Sequence, residues 1–333
     1  MLKQEISLER LEKANSRANG WQGIDSEAFM ALNDRDICNF NYCSPSRRQI
    51  FLRLAKQLDG RTKELCASYM AFFAVVDTIR GRKGSEKALR RLQHIIKEGR
   101  KGNGKEEGGE DGLDRFGVML VERLQVCSID GEARDQIFLS LNKHLLNAIN
   151  RPKLRNRLRS AAEIERYHRL EAMPWADGLL LLLNPRLSLR DMDQIARTLA
   201  YISQTTDDVA DVYMDLRHGF VNFPKEDVLK YFEGLEIIND EIVGVDTERL
   251  NVKIEYLVSV LNKAWSVFNE MSGGLVDLKE SADGERTKAI IDALTHLSHS
   301  YLDDAKQACF KHMELRNLML LKAYWQSAQP GTS

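Results

Sequence analysis

Four aspartates, Asp207, Asp208, Asp211 and Asp215, lie within nine residues near the middle of the chain. The surrounding segment, residues 189–219, has no proline, and its apolar residues recur at helical spacing. On a helix, Asp208, Asp211 and Asp215 share one face, with Asp207 at its edge. Like charges at this spacing destabilise a helix by about 0.2–0.5 kcal/mol per pair. A hard cation such as Mg²⁺ would offset this repulsion and keep positions open for phosphate. The pattern predicts a metal site, with a solvated acidic face as the alternative.

A second carboxylate that could take part in chemistry is that of Asp77, the only charged residue between Cys66 and Ile79. The residues around it are mainly Phe, Val and Ile, where an isolated charge is costly unless it is paired or binds a cation. Arg80 and Arg82 follow closely. A salt bridge to an arginine and ligation of a cation are both open interpretations of Asp77.

Composition limits the classes of function. The 333 residues carry a net charge of -1, and 43% are hydrophobic, so one large core is expected and nucleic acid is an unexpected partner. The basic stretch 151–159 has no interleaved aromatic residues, and we interpret it as a solvated helix face. Five cysteines without a C-x-x-C pair indicate reduced thiols. Without a signal-like or membrane-spanning stretch, we predict a cytoplasmic protein with at most peripheral membrane contact.

Amphipathic periodicity recurs along the chain and predicts an all-α fold, as a single domain over residues 1–326, in a monomer or homodimer. The Gly-rich segment 99–112 is expected to be a mobile loop, and residues 327–333 a disordered tail. Pro174 should end a helix. The predicted helices span residues 7–19, 26–33, 45–58, 61–80, 85–98, 113–127, 134–150, 152–173, 189–219, 225–235, 247–271, 285–299 and 302–321.

The stretch from Gln204 to Asp215, Q-T-T-D-D-V-A-D-V-Y-M-D, resembles the second acidic motif of the squalene/phytoene synthase family, roughly Q-x-T-N-I-x-R-D-x-x-E-D. Residues 219–224 align with the closing G-R-x-Y-L-P of that motif. The resemblance covers roughly residues 38–310 and implies the isoprenoid synthase α-fold, a helical bundle around a central apolar cavity. It places the two metal-binding carboxylates of the family on Asp211 and Asp215. Tyr167 falls where squalene synthases have a tyrosine implicated in catalysis.

The sequence departs from the family at several functional positions. The first acidic motif should read D-x-x-x-D, but Gly81 replaces the second carboxylate after Asp77. Three family arginines are replaced by Ala74, Ala210 and Phe220. In the family these groups help to hold two diphosphates and three metal ions. Their loss puts the usual reaction between two substrates in doubt.

The chain also gains carboxylates. Asp207 and Asp208 replace neutral residues of the family motif and complete, with Asp211, the D-D-x-x-D pattern of class I terpene enzymes. The resemblance therefore implies an enzyme that uses Mg²⁺, with Mn²⁺ as an alternative ion, to ionise a C10–C20 prenyl diphosphate. The acceptor is a second prenyl chain, another nucleophile or an internal double bond. The alternative is a catalytically silent member that acts as a binding or assembly protein.

The residues expected to perform this chemistry fall into three groups. The metal ligands are Asp77, Asp207, Asp208, Asp211 and Asp215. The catalytic residues are Asp77 and Tyr167. The substrate-binding residues are Arg47, Arg48, Arg80, Arg82, Gln204, Arg217, Phe72 and Phe73.

Overall fold

A computed structural model describes residues 50, 53–54, 56–79, 85–102, 112–184, 186–246, 249–282 and 284–311. Predictions for the N-terminal helices, for residues 103–111 and for the C-terminal tail lie outside these ranges. So do the predictions for Arg47, Arg48, Arg80 and Arg82.

The described chain is mostly helical, as predicted. Its helices are α1 (Gly60–Ile79), α2 (Ser85–Arg100), α3 (Gly112–Val126), α4 (Gly131–Asn150), α5 (Ala161–Leu183), α6 (Leu189–Arg217), α7 (Lys225–Tyr231), α8 (Ile254–Ser281) and α9 (Glu285–Lys311). Local signals set several ends: Ser160 and Glu163 form a capping box before α5, and Asn184 ends that helix in the left-handed conformation. The last predicted pair of helices is one continuous helix, α9.

The prediction that Pro174 ends a helix is wrong, because α5 continues through it to Leu183. Instead, the break falls earlier, where a turn of 3₁₀ helix at Arg151–Leu154 and an extended stretch precede α5. A proline inside a helix costs about 3 kcal/mol. Burial offsets that cost, since Leu179, Leu180, Leu182 and Leu183 are almost completely buried. Each buried leucine contributes about 1.5–3 kcal/mol.

Short strands between α7 and α8 are an element that the helical prediction missed. Strands β2 (Leu235–Ile238) and β3 (Glu241–Val245) form an antiparallel hairpin, while β1 (Phe232–Glu233) pairs with β4 (Asn251–Val252). Asn239 and Asp240, at the tip of the hairpin, both have positive φ angles. This geometry is typical of a type I′ turn, for which Asn and Asp are favoured. The hairpin rests on the segment before α5, where the Leu158 amide donates to the Asp240 carbonyl at 2.8 Å.

Helix α6, which carries the acidic motif, packs against α5, α8 and α9, while α4 packs against α2 and α5. Most of the buried apolar side chains form one cluster, and a second cluster surrounds the end of α6 and the strands. Among the described helices, none combines the length and apolar character needed to cross a bilayer. The central cavity that the resemblance implies stays a prediction.

Close packing of α1 on α5 generates a stability prediction. The Tyr69 hydroxyl donates to the Pro174 carbonyl at 2.5 Å, and a Cβ atom at Gly178 would lie 1.9 Å from the same hydroxyl. We expect Gly178→Ala to lower the free energy of unfolding by about 1–3 kcal/mol through overpacking. Gly273→Ala is the matched control, because nothing lies within 4 Å of its added methyl. The control should raise stability by about 0.4–1 kcal/mol in urea unfolding. Equal effects of the two variants would contradict this packing.

Candidate functional site

The four carboxylates of the acidic motif lie in different environments on α6. Asp207 and Asp211 are exposed, Asp215 is partly buried, and Asp208 is only 4% exposed. Val209 beside them is fully buried, in a helix that packs against α5, α8 and α9. The helix therefore presents Asp207 and Asp211, one turn apart, as an accessible acidic pair.

Asp208 is held by groups of the protein. The Gln204 side-chain amide donates to Asp208 Oδ1 at 2.9 Å. On α5, His168 Nε2 lies 2.8 Å from Asp208 Oδ2, within ion-pair distance. Gln204, predicted to bind substrate, thus orients Asp208 in this structure, and His168 lies beside the second oxygen of this carboxylate.

Asp215 is engaged in a similar way. Arg151, from the 3₁₀ turn after α4, places one terminal nitrogen 3.5 Å from Asp215 Oδ1. The Asn222 side-chain amide donates to Asp215 Oδ2 at 2.7 Å. Arg151 is 8% exposed, and its guanidinium stacks on the ring of Phe220 at 4.6 Å. Phe220 stands where the resemblance expects an arginine, so the positive charge at this point comes from a different part of the chain.

A second buried arginine, Arg159, extends the same network. Its terminal nitrogen donates to the Val221 carbonyl at 2.7 Å and to Asn222 Oδ1 at 3.2 Å. The guanidinium lies 4.6 Å from the centre of the Tyr167 ring. Burial lowers the pKa of Arg159, while the nearby Tyr167 and Asp208 act to raise that pKa. The Tyr167 side chain is itself buried against this cation.

Helix α4 connects the two acidic motifs through a stripe of buried polar side chains. His144 Nε2 lies 3.5 Å from Asp77 Oδ1, Asn147 donates to Glu171, and Arg151 lies 3.8 Å from Glu171 Oε1. His144 and Arg151 are seven residues apart, which at 1.5 Å per residue is about 10 Å along the helix. Asp77 therefore lies beside a histidine. Helix α4 spans the distance between the motif that contains Asp77 and the acidic motif of α6.

The remaining predicted site residues are dispersed. Phe72 and Phe73 are buried in the core beside His144, with 4.5 Å between the ring centres of Phe73 and His144. Arg217 is exposed at the end of α6 and lines a hollow of about 320 Å³. The other residues lining this hollow are Arg155, Asn156, Leu216, Gly219, Ile242, Val243, Gly244 and Val245.

The interpretation of residues 151–159 as a solvated face is wrong for Arg151 and Arg159, which are buried, although Arg155 and Arg157 are exposed. Periodicity offered a signal for Arg151. It follows the buried Ala148 by three residues and so continues the buried face of α4. Nothing comparable in the sequence marks Arg159, whose burial depends on contacts with residues more than 60 positions later.

The arrangement of the carboxylates limits the kind of metal site that α6 could provide. Over the described ranges, no three or more His, Cys, Asp or Glu side chains are grouped closely enough to hold one. Because Asp208 and Asp215 are engaged by the protein, the donor set does not match a closed cage. It matches an ion bound by one or two carboxylates and by the phosphates of its substrate, which is the usual arrangement for Mg²⁺.

The fold is similar to that of a dehydrosqualene synthase and of a terpene synthase. A crystal structure of a dehydrosqualene synthase in complex with ligand matches with a TM-score of 0.54 and 16% identity, covering 96% of this chain and 99% of that one. Linalool/nerolidol synthase from Streptomyces clavuligerus matches with a TM-score of 0.55 and 13% identity, covering 89% and 96%. The same synthase in complex with 2-fluorogeranyl diphosphate gives 0.54 and 12%, covering 89% and 98%. At these identities the likeness shows the fold alone. No protein-family model and no curated protein sequence matches the chain.

The two arginines of residues 157–159 provide a test of the buried network. Arg159→Leu removes the donor to Val221 and Asn222 inside the protein, and we expect the free energy of unfolding to fall by about 1.5–3 kcal/mol. Arg157→Leu is the control, because Arg157 makes an exposed ion pair with Glu163 at 3.2 Å, worth about 0–1 kcal/mol. Denaturant unfolding of both variants measures the difference, and similar losses would show that Arg159 is not part of a buried network.

Proposed function

We propose that this protein binds a C10–C20 prenyl diphosphate together with Mg²⁺ and ionises it. The resulting carbocation would be joined to a second prenyl chain or another acceptor, or closed on an internal double bond. We place this activity in the cytoplasm, with Mn²⁺ as an alternative ion. The fold supports the proposal, since its neighbours include synthases, and one of them is in complex with a fluorinated prenyl diphosphate.

The observation that carries the proposal is the accessible pair Asp207 and Asp211, one turn apart on helix α6. Maintaining two neighbouring carboxylates at the exposed part of such a helix costs repulsion. A divalent cation would remove this repulsion. When bound, Mg²⁺ would stabilise the negative charge that develops on the departing diphosphate. The side chains of Asp207 and Asp211 would orient that ion and its diphosphate.

Other predicted residues have roles in the proposal according to their positions. Arg217 is exposed two residues after Asp215 and would contact the diphosphate, in company with the arginines at positions 47, 48, 80 and 82. Tyr167, stacked against Arg159, would orient the carbocation or accept its proton. Asp77 would act from the opposite motif, and the apolar rings of Phe72 and Phe73 would lie toward the prenyl chain.

A catalytically silent protein is the second candidate, and one observation favours it. Asp208 and Asp215 are occupied by His168, Gln204, Arg151 and Asn222, so the protein satisfies half of the motif itself. The first motif has lost a carboxylate as well. Such a protein would bind a prenyl diphosphate without cleaving it, or would bind a partner protein.

Release of pyrophosphate separates the two candidates. We expect the purified chain with Mg²⁺ to release pyrophosphate from at least one of the C10, C15 and C20 prenyl diphosphates. Asp207→Asn/Asp211→Asn should lower the rate by about 100-fold or more, since charge stabilisation in the transition state is of that magnitude. Mass spectrometry of the products would identify the acceptor.

A control measurement accompanies this assay. Calorimetric titration with farnesyl thiodiphosphate and Mg²⁺ detects binding without cleavage. Binding without pyrophosphate release would favour the silent protein. Absence of both binding and release would contradict a prenyl diphosphate function altogether.

A further inference from the structure

The hollow at the end of α6, of about 320 Å³, lies where that helix meets the segment before α5 and strand β3. Pockets that bind small molecules have volumes from about 300 Å³ upward. Of the described residues that line this hollow, Arg155 and Arg217 are cationic and none is acidic. Leu216 and Ile242 are buried apolar parts of its wall, and Val243 is 53% exposed. Two cations beside an apolar wall suit an anion that carries an apolar group.

Backbone hydrogen bonds through Asn156 fix the shape of the hollow. The Asn156 amide donates to the Gly219 carbonyl at 2.5 Å, and the Ile242 amide donates to the Asn156 carbonyl at 2.7 Å. Gly219 has a φ of +77°, and a Cβ atom there would lie 1.9 Å from Asn156 Oδ1. Glycine is required at this position, because other residues rarely adopt such a φ and would collide with Asn156. The three segments are therefore held together by the protein itself.

The two arginines of the hollow are exposed and keep most of their donors for a ligand. Arg155 Nε donates to the His218 carbonyl at 2.8 Å, which orients the guanidinium and leaves its terminal nitrogens without an acceptor among the described residues. Within the same part of the chain, Arg217 has no hydrogen-bond or ion-pair partner. Arg157, by contrast, pairs with Glu163 at 3.2 Å. Each guanidinium carries five N–H donors, so the hollow offers several of them to an anion.

The acidic side chains of the neighbouring segments leave the hollow positive. Asp215 precedes Arg217 by two residues, which at about 100° per residue puts the two side chains on opposite sides of α6. Asp240, at the tip of the hairpin, pairs with Lys225 at 2.5 Å. Glu236 is on β2, which lies beyond β3 as seen from α6, because the other edge of β3 is bonded to the segment before α5. An anion in the hollow would therefore lie on the side of the two arginines.

We infer that this hollow binds the phosphate group of an amphipathic phosphate ester, with Arg155 and Arg217 donating to the phosphate oxygens. The planar guanidinium group matches the geometry of a phosphate and binds it through two parallel hydrogen bonds. Leu216, Ile242 and Val243 would contact the apolar part of the ester. The inference goes beyond the proposed function, since it needs neither a divalent cation nor cleavage, and it gives Arg217 a second arginine as its partner. A free prenyl phosphate and the headgroup of an anionic phospholipid both have this chemistry.

Binding of farnesyl monophosphate to the full chain, measured by calorimetry in EDTA, tests the inference. We expect Arg155→Gln and Arg217→Gln each to weaken binding by about fivefold or more, because each removes charge-assisted hydrogen bonds to the phosphate. Arg157→Gln is the matched control and should change binding by less than about twofold, since Arg157 has its own partner. All three side chains are exposed, so the melting temperatures should stay the same. Absence of binding in the wild type, or an equal loss in Arg157→Gln, would overturn the inference.

The apolar wall is tested with a second pair of ligands. Val243→Ser should weaken farnesyl monophosphate by about twofold or more, because it removes apolar contact area. The same variant should leave the binding of inorganic pyrophosphate unchanged, since pyrophosphate has no apolar group. Equal weakening of both ligands would contradict an amphipathic site.

Sedimentation with vesicles distinguishes the two sources of the phosphate group. Vesicles of phosphatidylcholine with and without phosphatidylglycerol are compared for the wild type, Arg155→Gln and Arg217→Gln. Phosphatidylglycerol-dependent sedimentation that both variants lose would assign the hollow to a lipid headgroup, whereas binding of farnesyl monophosphate alone would assign it to a free ester. Failure of both probes overturns the inference, even if the chain releases pyrophosphate from a prenyl diphosphate. Binding in the hollow without such release would reject the proposed function and leave this inference standing.

Discussion

The carboxylate of Asp215 lies where α4, α5 and α6 converge, between Arg151 and Asn222. Three carboxylates, those of Glu171, Asp208 and Asp215, are held at this junction, and two guanidinium groups and one imidazole face them. Without the two guanidinium groups the carboxylates would repel one another in a poorly solvated interior. Their neutralisation allows α6 to carry four aspartates and still pack against three other helices. Asp207 and Asp211 lie at the exposed surface of the same helix.

The same junction explains how the two acidic motifs are positioned. His144 of α4 lies beside Asp77, and Arg151, at the start of the 3₁₀ turn that follows α4, lies beside Asp215. A helix is a stiffer spacer than a loop, so the separation of the motifs is set by two turns of α4. A substrate that engages both motifs would therefore meet a fixed frame, which is the preorganisation that catalysis on charged groups requires.

The fold and the position of the acidic helix could be predicted from the sequence, because α6 has strong helical periodicity and its motif aligns without gaps. The continuation of α5 through Pro174 could not be predicted, since it depends on the burial of the leucines that follow. The hairpin could have been predicted, because Asn239 and Asp240 between apolar residues are a turn signal. The partners of Asp215 could not have been predicted, since Arg151 is 64 positions away and only the tertiary structure brings it near.

The placement of charge bears on which chemistry the site favours. Ala74, Ala210 and Phe220 stand where the resemblance expects arginines, while Arg151 faces Asp215 and Arg159 donates to Val221 and Asn222. On the proposed function, the negative charge of a diphosphate would be balanced by a divalent cation and by arginines such as Arg217. That supply of positive charge suits a single diphosphate better than two. Under the proposed function, this placement of charge favours ionisation of one prenyl diphosphate over the joining of two.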